Sequence, residues 1–168
     1  MSFSLNSPHS RRLPKQFVRG KQKTIDVFVD GGSFEPPFYN FYDVKGRKMR
    51  KFVVDLKKVY RFHRRDDVTS HPFYLSHSGE RNFPVGAIKI RGNGGPGDGI
   101  IGSEMFSLGF KKRNRKLIKA EGFIQYFCTA HAEMIGLIPI KGVKASQSSL
   151  RDEFSDLLTG VAEADSLI

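Results

Sequence analysis

The residues best equipped for chemistry lie close together near position 130. The stretch Tyr126-Phe127-Cys128-Thr129-Ala130-His131-Ala132-Glu133-Met134-Ile135-Gly136 places a thiol, an imidazole and a thioether at i, i+3 and i+6. A loop of that length can turn all three donors toward one point. Sulfur donors with imidazole suit copper, above all where two His and one Cys form a trigonal set with a weakly held Met. Zinc accepts Cys and His but has little use for a thioether, so Met134 favours copper over zinc. Such a set needs one more His, which another part of the chain must bring. His71, in Ser70-His71-Pro72-Phe73-Tyr74-Leu75, enters an apolar run and is the candidate. His63 sits in a polar-flanked run, His77 lies just beyond one, and His9 falls in a basic arm. The plain alternative is an inert buried Cys with Met134 as ordinary core.

Other chemistries fit poorly. Cys128 is the only cysteine, which excludes an internal disulfide framework and any site built from several thiolates. A Cys128/His131 nucleophilic pair has no evident orienting Asn or Asp, and no helix N-terminus to lower the thiol pKa. Asp66-Asp67 and Glu80 fall in turns without a paired-carboxylate pattern. The glycine-rich loop over 92–99 is followed by no Gly-Lys-Ser/Thr and opens no helix, so it reads as a hairpin connection rather than a phosphate cradle. Nothing marks an enzyme.

The elements that must position these donors are strands. Short β-branched and aromatic runs at 25–30, 38–42, 51–56, 59–63, 72–76, 87–91, 105–110, 123–128 and 135–141 alternate with Gly, Pro, Asn and Asp breaks. Eight or nine strands in this span predict an all-β fold, a two-sheet Greek-key sandwich or a small barrel. In 59–63, Tyr60 and Phe62 should face one way and Val59, Arg61 and His63 the other. The run Lys111 to Lys116 reads as a solvated turn between strands.

With the strands in place, the loop takes on a specific look. Cys128-x2-His131-x2-Met134-x-Gly136, with Phe127 before the Cys, resembles the short ligand loop of the cupredoxins, the blue-copper family of plastocyanin and amicyanin. That resemblance spans roughly residues 25–141 and implies a cupredoxin-like Greek-key β-sandwich. It further implies a mononuclear copper held equatorially by His71, Cys128 and His131, with Met134 axial. In the family the upstream His is usually followed by an Asn that braces the Cys loop; here Pro72 follows His71. The His-Pro-Phe run, the Cys-Thr-Ala-His loop and the stretch 99–106 are also similar to a subset of marine cyanobacterial and cyanophage virion-associated domains.

Charge divides the chain in three: a basic arm over 1–24, the sandwich over 25–145 and an acidic tail over 146–168. The formal net charge is +11. Residues 1–24 hold Arg11, Arg12, Lys15, Arg19, Lys21 and Lys23 with no acid, while 146–168 hold Arg151 against five acids. In the tail, Leu150, Phe154, Leu157, Leu158 and Val161 recur at helical spacing, which predicts a short amphipathic helix. A basic surface attracts anionic partners, but no nucleic-acid motif or basic helix with apolar periodicity is present, which places an acidic protein surface first. Residues 1–14 are polar, unlike a secretory signal peptide, and no run reaches the ~18 apolar residues of a membrane-spanning helix. Two functions are therefore expected of one site. The first choice is a structural subunit of a large assembly, such as a phage capsid or tail protein, gripping neighbouring subunits through arm and tail. The alternative is a soluble type 1 copper electron carrier. The location expected is the virion, or otherwise the cytoplasm.

Overall fold

The computed structural model of the protein describes residues 23–65, 67–76 and 87–143. Its elements are β1 (Thr24–Val29), β2 (Phe41–Tyr42), β3 (Val59–Arg64), β4 (Phe73–Ser76), β5 (Ile88–Gly92), β6 (Met105–Phe110), α1 (Arg115–Glu121), β7 (Phe123–Cys128) and β8 (Ile135–Pro139). The strands form two sheets, ordered β2-β1-β3-β6-β5 and β4-β7-β8. β1 and β3 pair in parallel, and every other pairing between these strands is antiparallel. The described residues thus form an all-β, sandwich-like fold with one short α-helix.

Aromatic rings fill the space between the sheets, which accounts for the high Phe content. Phe73 on β4 stacks parallel to Phe106 on β6 at a centroid distance of 6.1 Å, and it meets Phe62 on β3 at 5.7 Å. Tyr39 and Tyr126 close the same cluster from one side, 5.1 and 6.2 Å from Phe73. β3 alternates as its sequence predicts, with Tyr60, Phe62 and Arg64 buried and Val59, Arg61 and His63 partly exposed. β7 does not alternate. All six of its residues are buried, the mark of a strand covered on both faces.

The structure departs from the sequence reading at four places. Residues 51–56 form no strand: Val54 makes a single parallel bridge to Ile140, and the alternating burial of Val54 and Leu56 mimicked strand periodicity. The run 38–42 yields only two strand residues. Phe38 has φ +60° and Tyr39 N–H donates to the Pro37 carbonyl, so the backbone turns before it can pair. The basic run 111–116 is not a simple turn. It passes through one 3-10 turn (Lys112–Asn114) into α1, which stops at Gly122 in a left-handed conformation with φ +82°. With seven residues and only Ile118 buried, α1 is too short to show helical periodicity. The connection after β5 does more than close a hairpin, because Ile100 exchanges backbone hydrogen bonds with Phe73 at 2.9 and 3.1 Å and so ties the two sheets at their edges. Residues 1–22 of the basic arm over 1–24, His77 and the acidic tail helix lie outside the described residues, and Thr24 already belongs to β1. Among the described residues, no helix is long and apolar enough to cross a membrane.

Candidate metal centre

The three-stranded sheet brings the donors together. Phe73 pairs in register with Cys128, so the residues just before β4 stand beside the loop that follows β7. His71 Nδ1 lies 3.1 Å from His131 Nδ1, and Cys128 Sγ lies 3.4 Å from the same nitrogen. The three ligating atoms all fall within 4.8 Å of one another. His63 is elsewhere: it lies on β3, stacks on Phe28 and bonds Asp26 at 2.9 Å.

The backbone builds this convergence. The 128–134 loop is tied at its base by the Cys128 N–H donating to the Met134 carbonyl at 3.0 Å. Met134 N–H in turn donates to the His131 carbonyl at 3.3 Å. Gly136 lets β8 approach β7 closely, since a Cβ there would collide with the Tyr126 ring. Met134 is fully buried, and a Cβ on Gly32 (φ +83°) would stand 3.1 Å from its Cε, so that glycine makes room for it. His71 holds a left-handed backbone, φ +51°, which a non-glycine residue adopts only under outside constraint. The constraint is visible. Tyr39 Oη donates to the His71 carbonyl at 2.8 Å, and Thr129 N–H donates to the Pro72 carbonyl at 3.0 Å. The second bond braces the ligand loop through a main-chain oxygen, where the resemblance led one to look for an Asn side chain.

The group fits a metal ion. With metal–nitrogen bonds of about 2.0–2.1 Å and a metal–sulfur bond of about 2.3 Å, ligand atoms around a three- or four-coordinate ion stand about 3.4–3.8 Å apart. The two separations to His131 Nδ1, 3.1 and 3.4 Å, sit close to that, and all three atoms lie within 4.8 Å of one another. Two imidazole Nδ1 atoms and one sulfur facing each other place three electron-rich atoms at one point, an arrangement that a cation or a shared proton must relieve. His71, Cys128 and His131 could hold the ion, with Met134 the further sulfur on the same loop.

Sequence reasoning missed three neighbours. Phe34, 60% exposed, stands edge-to-face against both imidazoles, at centroid distances of 4.9 Å from His71 and 5.0 Å from His131. Tyr39 lies beside the thiol; burial first, and then Cys128, push its hydroxyl pKa far up, so it stays a neutral donor. Arg64 is the third. The Gly31-Gly32 and Pro36-Pro37 pairs signalled a tight loop here, but nothing in the sequence said where its aromatic tip would rest. Replacing Phe34 with alanine is expected to change stability by less than about 1 kcal/mol, as for an exposed side chain. Chelator stripping of a bound metal is expected to speed up about tenfold, the low end of what losing an outer partner costs. Stopped-flow competition with a chromophoric chelator checks both the rate and its specificity.

Burial, and then the neighbouring His131, hold the His71 pKa below its ordinary value. His71 is therefore neutral at pH 7 and can offer a lone pair. The folded protein binds this proton less readily than the unfolded chain, so the unfolded state gains protons first as pH falls below about 6.5. The metal-free protein is expected to keep its full stability above that value and to lose part of it as pH falls below about 6.5. That window lies above the one governed by Asp43 and Asp55, whose carboxyls hydrogen bonding holds below the usual 3.8. Thermal melts of metal-free protein at pH 7.5 and 5.5, repeated with His71→Asn, read this; equal pH slopes in both proteins would contradict it.

No family model, curated protein or solved structure matches the chain. Fold and cluster together define a two-sheet β protein with a His/Cys/His group suited to a metal ion.

Proposed function

We propose that the protein is a mononuclear copper protein of cupredoxin type that carries single electrons. The observation that carries this reading is the meeting of His71 Nδ1, Cys128 Sγ and His131 Nδ1 within 4.8 Å, on a sequence motif that also supplies Met134. Support comes from the topology, in which a sandwich with a parallel β1–β3 pair presents its donors from one end of β4 and β7. When bound, copper supplies a one-electron couple. The residues do the rest. His71 and His131 would provide ring nitrogens, Cys128 a soft sulfur in a site with no exposed thiol surface, and Phe34 limits the approach of water. Exposed Lys45, Arg47, Lys48, Arg50 and Lys51 would steer an acidic redox partner toward the molecule.

The test is reconstitution of full-length protein with Cu(II), Co(II) and Zn(II). One equivalent of Cu(II) should give an intense, reversibly reducible colour. A colourless, redox-silent complex would end the electron-transfer reading. A second reading, a structural subunit of a large assembly such as a virion, draws on the opposite charges of residues 1–24 and 146–168. It requires that deleting either segment leave a folded monomer that no longer assembles; a full-length protein that stays monomeric at every concentration would refute it.

A further inference from the structure

We propose that Arg64 is a positioning residue of this metal centre, clamping the backbone that carries His71 and placing a buried positive charge that favours the reduced metal. The proposal rests on the copper reading above. Arg64 ends β3 and is 5% exposed. Its Nη1 donates to the Asp30 carbonyl at 2.7 Å and its Nη2 to the Ser70 carbonyl at 3.2 Å, immediately before His71. The guanidinium carbon lies 5.7 Å from the centre of the Tyr39 ring, whose hydroxyl bonds the His71 carbonyl. One side chain therefore ties the end of β1, the end of β3 and the strained turn at His71.

The unusual part is the charge. Buried cations are normally paired with an anion. Among the described residues, Arg64 hydrogen-bonds only neutral carbonyls, and its Nε has no partner. The nearby carboxylate of Asp30 accepts from Asn40, Tyr42 and the Gly32 N–H rather than from Arg64, and meets the guanidinium only through space. Burial depresses the Arg64 pKa, and Tyr39, the Asp30 carboxylate and then Cys128 oppose this. With a metal bound, the Cys128 sulfur would be a second negative group near this cation, alongside the Asp30 carboxylate. Reduction adds one electron and takes the metal–thiolate pair from a net +1 to 0, so a fixed neighbouring cation favours the product.

The experiment uses full-length protein loaded with one equivalent of copper, with an electrode as electron source. Wild type is compared with Arg64→Gln, Arg64→Met and Arg64→Lys. Arg64→Met removes the charge while keeping an apolar stem of similar length, and it covers the case in which Arg64→Gln fails to fold. Loss of charge should lower the ratio of Cu(I) to Cu(II) affinity about tenfold, a fall of about 59 mV in potential. Arg64→Lys should keep the ratio within threefold of wild type while melting lower, because it loses the forked hydrogen bonds. Neutral variants with an unchanged ratio, or a Lys variant shifted as far as the neutral ones, would overturn the inference and leave the copper reading standing. A wild type that binds no copper would overturn both.

Discussion

Replacing Cys128 with serine is expected to abolish the intense colour and to weaken copper binding by well over 100-fold. Loss of an outer partner alone costs 10- to roughly 100-fold in affinity, and here a ligating atom disappears. The thiol is fully buried and its sulfur lies 3.4 Å from His131 Nδ1. Serine has nearly the same shape, but its hydroxyl is a hard, weakly acidic donor that cannot replace a thiolate on soft copper. The fold should survive. The new hydroxyl sits beside Tyr39 and His131, which can bond it, so the cost to metal-free stability is about 1–3 kcal/mol at most. Competition against a chelator of known affinity measures the binding, and urea unfolding measures the rest. Retention of copper within tenfold of wild type would mean that Cys128 is not a ligand.

Phe73→Ala is expected to destabilise the metal-free protein by about 3–5 kcal/mol, the usual cost of emptying a large buried aromatic site. The ring is fully buried and touches Tyr39, Phe41, Phe62, Phe106 and Tyr126, aromatic groups contributed from both sheets. Its backbone is also the cross-strand partner of Cys128 and of Ile100. Loosening it should therefore weaken metal binding as well as the fold, although position 73 carries no ligand. Urea denaturation at pH 7 and metal competition on the same sample test this pair of effects. A loss below about 1 kcal/mol, or a destabilised protein with unaltered affinity, would contradict the coupling.

The three clustered donors were legible because chemistry is written in residue type, and the 128–131 spacing confines two of them to one short loop. Placing His71 required more: it depends on the register between β4 and β7, which no local pattern encodes. The strands were readable where burial alternates, as in β3, or where an apolar run is short and bounded, as in β7. The reading failed at 51–56, where alternating burial occurs without strand pairing, and at α1, where one buried residue leaves no period to detect. Phe34, Tyr39 and Arg64 were invisible for a common reason. Phe34 and Tyr39 reach the site from the β1–β2 connection and Arg64 from the end of β3, and only tertiary packing decides where their side chains end.

The facing imidazoles of His71 and His131 are separated by 60 residues of chain. Closing so large a loop is entropically costly, and it happens only once β4 has docked on β7. During synthesis His71 emerges several seconds before Cys128 exists, at typical elongation rates of about 5–20 residues per second. Capture of an ion by all three residues must then come after β4 has docked on β7, and until then the chain offers a metal at most the local Cys128/His131 pair.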